Sequence, residues 1–381
     1  MIVKGWCPGA WRPMMAEDGL LLRIRPREGR LSSTQALGLA ELARAQGMAG
    51  FSLTARANLQ MRGVAPERYE ALLEGLAALG LLDADAALET ARNIIVTPFW
   101  REGDGTLELA RALVAALPEF PSLPGKFGFA VDTGVRPVLG EVSADIRLER
   151  DAAGRLMVRA DGAMQGETVA ASEAIPALLR LARWFVESGG APGGRGRMRA
   201  HLAAGHKPPW LEPLGGYAAP AEAAPAPMPG RHAAGMLAGF AFGEIPAETM
   251  ARLAGLAPEI RLTPWRMLLL PGLAALPGLP GMILNPADPI LRVHACTGAP
   301  GCAQAHAPTR GLATRLAAFL PAGASLHVTG CGKGCAHHGA ADFTLTAGPE
   351  GFLLNRHGQD APGALDLDFM LSHPRRVFGP D

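Results

Sequence analysis

The chain predicts an α+β fold written twice, with its two halves related by a pseudo-two-fold. Three observations carry that prediction. Residues 51–64 (FSLTARANLQMRGV) and 260–273 (IRLTPWRMLLLPGL) align without a gap, so that at a spacing of 209 Leu53 meets Leu262, Thr54 meets Thr263, Gly63 meets Gly272 and Val64 meets Leu273. Upstream of each copy lies the same order of strand, tight turn and amphipathic helix. Downstream of each, Ser143-Ala144-Asp145 or Ala340-Ala341-Asp342 opens an alternating strand that runs to a glycine turn, Gly154 or Gly351.

Taken in order, Leu21–Arg25 reads as a strand, Gly29 as a turn and Ser33–Gln46 as a helix. Ser32 or Ser33 can cap that helix, and Gly47 ends it. The repeat segment reads as a strand with Arg56 in its middle, followed by a helix over Pro66–Leu79. In the second copy, Leu237–Phe242 is the strand, Gly243 the turn and Pro246–Leu256 the helix, with proline suited to its first turn. Strand, helix, strand and a further helix make a ferredoxin-like half-domain, expected at residues 1–85 and again at 231–285. Larger mixed α/β segments follow at 86–216 and 286–381. In the latter, Thr309–Phe319 reads as a helix and Ser325–Val328 as a strand. Residues 217–230, YAAPAEAAPAPMPG, are Pro/Ala-rich without amphipathic period and read as an extended connector.

Composition narrows the function classes. The 381 residues are 49% hydrophobic and 19% charged, enough to build cores and too apolar for disorder. Lys plus Arg number 36 against 35 Asp plus Glu, a net charge of +1, so no global field attracts nucleic acid or a membrane surface. Any anion site must be local. The 48 glycines show no triplet period and five cysteines are too few for a disulfide scaffold. The apolar window 267–284 is broken by prolines, so no spanning helix is expected. The opening MIVKGWCPGAW lacks the apolar core of a secretory signal, which points to a cytoplasmic chain with reduced thiols.

Four of the cysteines cluster. Cys296-TGAPG-Cys302 is followed, after 28 intervening residues, by Cys331-GKG-Cys335. Two pairs of thiolates can hold a [4Fe–4S] cube, one thiolate per iron. Gly298, Pro300, Gly301, Gly332 and Gly334 allow tight turns that bring backbone N–H groups to the inorganic sulfides. Structural zinc prefers gaps of two to four residues, which the second pair meets and the first does not. His294, His306, His337 and His338 keep zinc open as an alternative. The first half has no cysteine at the matching place, where it reads IIVTPFW and KFGFAVDTG. One duplicated site would then carry the metal and the other would not. Cys7, in Trp-Cys-Pro-Gly, reads as a turn thiol.

At these residues the chain resembles the sirohaem nitrite and sulfite reductases. The Cys-x5-Cys and Cys-x3-Cys pairs carry the resemblance, together with Thr54-Ala-Arg56-Ala-Asn-Leu-Gln60, Arg92-Asn93 and Leu123-Pro124-Gly125-Lys126-Phe127. The resemblance implies that the larger segments are reductase-type α/β domains. It also implies a [4Fe–4S] cluster on Cys296, Cys302, Cys331 and Cys335, with Cys335 nearest the tetrapyrrole. Within that superfamily, GWCPGAWRPMMAEDGLLLRIRP, the short length and GCGKGCAHHGAAD look like the precorrin-3B synthases of the cobalamin pathway. That likeness implies an oxidoreductase, a monooxygenase that hydroxylates precorrin-3A at a meso carbon and closes a γ-lactone. It further implies dioxygen, NADH-derived electrons from an external donor and an associated mononuclear non-haem iron. The departure at Gly125 bears on the choice. The sirohaem reductases typically place Arg there to grip sulfite or nitrite, and glycine supplies no guanidinium. A sirohaem-dependent nitrite or sulfite reductase is the alternative reading, and a non-catalytic metal- or tetrapyrrole-binding protein the alternative of another class.

A precorrin carries many carboxylates, so its pocket needs basic side chains. Candidates are Arg56 in the repeat strand, Arg92, Lys126 after its Pro-Gly turn, and Arg195, Arg197 and Arg199. Those last three, in GGRGRMRAHLAAGHK, would share one face of a strand. No aromatic residues interleave with them, which speaks against nucleic acid. No Gly-rich dinucleotide fingerprint stands in a βαβ setting. His201, His206, His337 and His338 show no two-His-one-carboxylate spacing. No residue is assigned a catalytic role.

Overall fold

A computed structural model of the protein describes residues 8–211, 217–337 and 339–379; Cys7 and His338 lie outside them. The chain opens with β1 (Met14–Ala16) and β2 (Gly19–Ile24), then β3 (Arg30–Ser32) and α1 (Ser33–Ala45). Ser32 caps α1 through a reciprocal box. Gln35 N–H donates to Ser32 Oγ at 3.1 Å, and Ser32 N–H to Gln35 Oε1 at 3.0 Å. Ala36, Leu39, Ala40 and Ala43 form the buried stripe. Next come β4 (Gly50–Leu53), β5 (Leu59–Val64), α2 (Tyr69–Ala78) and α3 (Ala86–Ala91).

The repeat segment is a hairpin rather than the expected single strand. Thr54 Oγ1 accepts the N–H groups of Arg56 and Asn58, and Ala57 takes φ +52° to close the turn. Arg56 therefore stands at a hairpin tip, not mid-strand. A polar side chain that satisfies backbone donors locally ends the ladder.

The first α/β domain comprises β6 (Ile94–Val96), α4 (Thr106–Ala116), β7 (Phe129–Asp132), β8 (Ile146–Arg150), β9 (Leu156–Ala160), β10 (Gly166–Thr168), α5 (Ala174–Glu187), α6 (Met198–Ala203) and β11 (Tyr217–Ala218). Its sheet runs β11-β10-β9-β8-β7-β6, with β6, β7 and β8 parallel. Phe129, Ile146, Leu178 and Phe185 lie in its core. The basic segment is not a strand. Arg197 precedes α6 and Arg199 lies within it, because Asp145 Oδ1 accepts the Met198 N–H at 2.9 Å and so starts the helix. The segment after residue 216 is laid against this domain. β11 pairs with β10, Pro220 bridges Asp151, and the Ala224 N–H donates to the Pro137 carbonyl.

The second copy follows: β12 (Gly230–His232), β13 (Gly235–Phe240), β14 (Glu244–Pro246), α7 (Ala247–Ala254), β15 (Glu259–Leu262), β16 (Met267–Pro271) and β17 (Met282–Ile283). Its α/β domain holds β18 (Val293–Ala295), α8 (Arg310–Ala317), β19 (Leu326–Thr329), β20 (Phe343–Gly348), β21 (Gly351–Arg356), β22 (Gln359–Leu365) and α9 (Leu367–Ser372). This sheet runs β18-β19-β20-β21-β22, again with the first three strands parallel. Details repeat as well as order. Ala57 and Arg266 both take φ near +55° at matching hairpin tips, as do Glu28 and Phe242 in the matching turns (φ +52°, +59°, +58° and +55° in that order). Asp145 accepts from the Gly128 N–H and Asp342 from the Ser325 N–H at matching places.

The two ferredoxin-like sheets exchange strands. The first runs β1-β2-β5-β4-β14 and the second β12-β13-β16-β15-β3, so each half lends a three-residue strand to the other's edge. Leu31, Leu39, Phe51, Ile245, Met250 and Leu262 share one core beneath both sheets. Capping each exposed edge with the partner's strand removes unpaired backbone groups and locks the halves together.

Candidate functional site

The outer face of the first ferredoxin-like sheet is polar. Along β2 and β5, Leu22, Ile24, Leu59 and Met61 point into the shared core, while Arg23, Gln60 and Arg62 point the other way. Arg23 and Gln60 are cross-strand partners. Arg23 Nε is buried with no protein partner. Arg62 is held by Asp18 at 2.7 Å, and Ser52 donates to Glu244 beside them.

At the hairpin tip, three of the expected basic residues converge on the first α/β domain. Arg56 Nη2 donates to the Lys126 carbonyl at 3.1 Å and to Ser143 Oγ at 3.3 Å. Arg197 Nη2 reaches the same Ser143 Oγ at 3.0 Å, with its Nε on Asp145. Asn93 Nδ2 donates to the Phe127 carbonyl at 2.7 Å and holds the Lys126 turn in place. Beside them lies a groove of about 510 Å³ lined by Ser143, Asp145, Arg147, Asp161, Arg197 and Arg199. Arg199, largely exposed, donates to Asp161 at 3.0 Å; the carboxylate's bond and charge hold its guanidinium pKa above the usual value. Arg147, buried beneath, donates to Asp161 and to the Leu139 and Val142 carbonyls.

Two expected basic residues stand apart. Arg92 is 8% exposed, and its guanidinium is spent on both oxygens of Asp83 and the Arg25 carbonyl. It clamps α3 to the preceding loop, so the geometry corrects its expected role as a carboxylate ligand. Arg195 is exposed in the turn before α6 and contacts neither Ser143 nor Asp161 in the described bonds. The sequence reading missed Arg23, Arg62, Ser143 and Arg147. Alternation of apolar and polar residues in Leu22-Arg23-Ile24 and Leu59-Gln60-Met61-Arg62 was the available signal for the first two.

The cysteines lie at the carboxyl ends of adjacent parallel strands. Cys296 follows β18, Cys331 follows β19, and both loops turn back on each other. The Gly330 N–H donates to Cys296 Sγ at 3.2 Å, the Ala305 N–H to the Cys302 carbonyl and the His306 N–H to the Gly330 carbonyl. A Cβ on Gly330 would meet Ala305 Cβ at 2.6 Å, so only glycine lets these loops close. Burial pushes the Cys335 thiol pKa up, and the neighbouring Cys331 and Cys296 add to it. Four thiols on two glycine-rich loops, with an amide already aimed at one sulfur, fit a [4Fe–4S] cube. Among the described residues, no three His, Cys, Asp or Glu side chains close on one point as a single zinc or iron requires. His201 instead bonds Ser188 and stacks on His206, and His294 stacks on His337.

The Cys296–Cys302 loop and the start of α8 dock on the polar face. Gly301 packs against Asp18 and Arg62, and Arg310, the first residue of α8, bridges Glu244 at 3.0 Å.

Residues 12–79 match the family described as the nitrite/sulfite reductase ferredoxin-like half domain. The chain is 29% identical to precorrin-3B synthase of Sinorhizobium sp over 93% of its own length and 83% of that protein's. It is 32% identical to ferredoxin–nitrite reductase of Synechococcus elongatus over 34% of its length and 27% of that protein's. Its fold matches the solved structure of Mycobacterium tuberculosis NirA protein with TM-score 0.60 at 16% identity, covering 94% of this chain and 80% of that one. The chain shares the fold of that structure and carries a nitrite/sulfite reductase ferredoxin-like half domain, and its likeness to precorrin-3B synthase spans nearly its whole length. Within that fold, only one of the two duplicated faces is polar. Strand register equates Arg23 with Leu237, Arg56 with Trp265 and Gln60 with Leu269. Leu237, Met267 and Leu269 pack against Phe99 and Trp265, and Phe99 stacks on His232 at 4.2 Å. The second face is filled by apolar side chains, and the first carries Arg23, Gln60 and Arg62.

Among the described residues, no helix is long and apolar enough to cross a membrane.

Proposed function

We propose that the chain is a precorrin-3B synthase-like oxidoreductase of cobalamin biosynthesis that binds a polycarboxylate tetrapyrrole, precorrin-3A, on the polar face of its first sheet. The meeting of Arg56 and Arg197 on Ser143, with Arg56 also on the Lys126 carbonyl, at the tip of the hairpin whose sheet presents Arg23 and Arg62 on its outer face, carries this reading. Acetate and propionate groups would take the guanidinium groups of Arg56, Arg197 and Arg199 and the Lys126 ammonium, charge-assisted bonds worth ~1.5–3 kcal/mol each. Arg23 and Arg62 would face the macrocycle from the sheet. Arg195, at the rim, would add long-range attraction only.

Cys296, Cys302, Cys331 and Cys335 would hold a [4Fe–4S] cluster, which when bound supplies one-electron transfer from an external, NADH-fed donor. The chain's own part is to fix which meso carbon meets dioxygen, by pinning the carboxylates around it. The overall outcome is a monooxygenation with closure of an acetate side chain to a γ-lactone. Gly125 in place of arginine supports this reading over nitrite or sulfite reduction. The partial likeness to ferredoxin–nitrite reductase keeps sirohaem as the rival occupant.

Metal analysis and an optical spectrum of anaerobically purified protein decide between the two. About four irons per chain and no tightly held tetrapyrrole are expected. Stoichiometric sirohaem would overturn the proposal in favour of the reductase. Zinc alone, with no tetrapyrrole binding, would overturn both in favour of a non-catalytic protein.

A further inference from the structure

The duplication also places a vacated counterpart of the cluster site in the first half. Thr97 follows β6 as Cys296 follows β18, and each backbone N–H donates to the matching carbonyl, Val131 or Val328. The segment after β7, residues 133–142, stands where the Cys331–Cys335 loop stands after β19. In the second half, thiols on a shared cluster would organise that loop. In the first half, a carboxylate does so. Asp132, the last residue of β7, is 3% exposed, and its Oδ2 accepts the Val138 N–H at 2.6 Å and the Leu139 N–H at 2.7 Å.

The pinned turn leads directly to the arginines. The Leu139 and Val142 carbonyls accept from Arg147 Nη1 and Nη2 at 2.8 and 2.7 Å, and Leu139 is fully buried. Arg147 and Arg199 share the Asp161 carboxylate. Ser143, next in the chain, is the residue on which Arg56 and Arg197 meet. An unbroken series of bonds thus runs from Asp132 to three of the carboxylate-binding candidates.

We propose that Asp132 is a positioning residue for tetrapyrrole binding: from the vacated cluster place it pins the Val138–Leu139 turn, which sets Ser143 and Arg147 and through them Arg56, Arg197 and Arg199. This rests on the binding role proposed for those arginines. It gives the first half's counterpart of the cluster loop a function, as the wall of the substrate groove.

The test uses the full chain with its cluster reconstituted, and uroporphyrin as a polycarboxylate tetrapyrrole probe. Asp132→Ala is expected to weaken uroporphyrin binding about tenfold, a change of ~1.4 kcal/mol, while the cluster's optical signal is unchanged. Asp132→Asn can still turn an oxygen to both amides and is expected to bind within about twofold of the parent. Because Asp132 acts through Arg197, the Asp132→Ala loss should shrink in an Arg197→Ala background. Full additivity of the two losses would overturn the proposal. Hydrogen exchange across residues 138–147 gives a readout independent of the ligand. Faster exchange there in Asp132→Ala is expected, and unchanged exchange would overturn the proposal whatever the binding shows. Should the parent itself bind no uroporphyrin, the substrate reading fails, and the exchange measurement still decides whether Asp132 organises the loop.

Discussion

Replacing Arg92 with alanine separates a clamp from a ligand. Arg92 Nε and Nη2 each donate to an Asp83 oxygen at 2.8 Å, and Nη2 also to the Arg25 carbonyl at 2.7 Å. Side-chain exposure is 9% for Arg92 and 4% for Asp83, so water cannot replace what is lost. Breaking such a pair from one side strands a buried charge and costs ~3–5 kcal/mol. With roughly 2–4 °C per kcal/mol for a domain of this size, the melting temperature should fall on the order of 10 °C. Removing Asp83 as well takes away the stranded charge, so Arg92→Ala/Asp83→Ala should melt above Arg92→Ala alone. The assay is thermal unfolding of the three variants, with uroporphyrin titrations below every transition. Binding per folded molecule should stay near the parent's. An Arg92→Ala protein that melts like the parent and has lost the tetrapyrrole would refute the clamp and restore Arg92 as a ligand.

Arg56→Ala should show the opposite pattern. Its partners are near the surface, so the melting temperature should barely move, while uroporphyrin affinity falls about tenfold or more, as for one lost charge-assisted bond; equal affinity would remove Arg56 from the site. Cys331→Ser should abolish the cluster's optical and iron signals, and a retained signal would mean that the ligand assignment is wrong. Glu89, which accepts the Ala10 and Trp11 N–H groups, has a pKa raised chiefly by burial and secondarily opposed by those bonds. A carboxyl raised in the folded state binds its proton more tightly there than when unfolded. It therefore contributes stability that is full below the ordinary glutamate range and is lost as pH rises through the folded value. Urea midpoints of the parent should decline over that window and those of Glu89→Gln should decline less; parallel profiles would count against the shift.

Much of this was legible in the sequence because it is local or periodic. The spacing of Leu53-Thr54 and Leu262-Thr263 exposed the duplication, and the Ser32-Ser33 pair marked a helix start. The glycines between Cys296 and Cys302, and between Cys331 and Cys335, announced loops able to close on a cluster. Local rules also produced the errors. Alternation in residues 51–64 read as one strand because a Thr54 side chain bonding two backbone amides leaves no periodic trace. Arg195, Arg197 and Arg199 alternate on paper, but Asp145, some fifty positions earlier, supplies the acceptor that starts α6 between them.

The sequence by itself determined that two related halves exist, that one of them carries four thiols and that basic residues are available. Only the tertiary structure decided which arginines stay near the surface and which are buried against a carboxylate. An arginine's role depends on whether the carboxylate that reaches it also draws it out of water. Asp83 takes Arg92 into the interior, whereas Asp145 holds Arg197 half-exposed, where it meets Arg56 over a serine. The same holds for the two duplicated faces. Leu269 and Trp265 fill one, Gln60 and Arg56 leave the other polar, and the strand exchange that presents each face to a different α/β domain is a long-range pairing that no local pattern encodes.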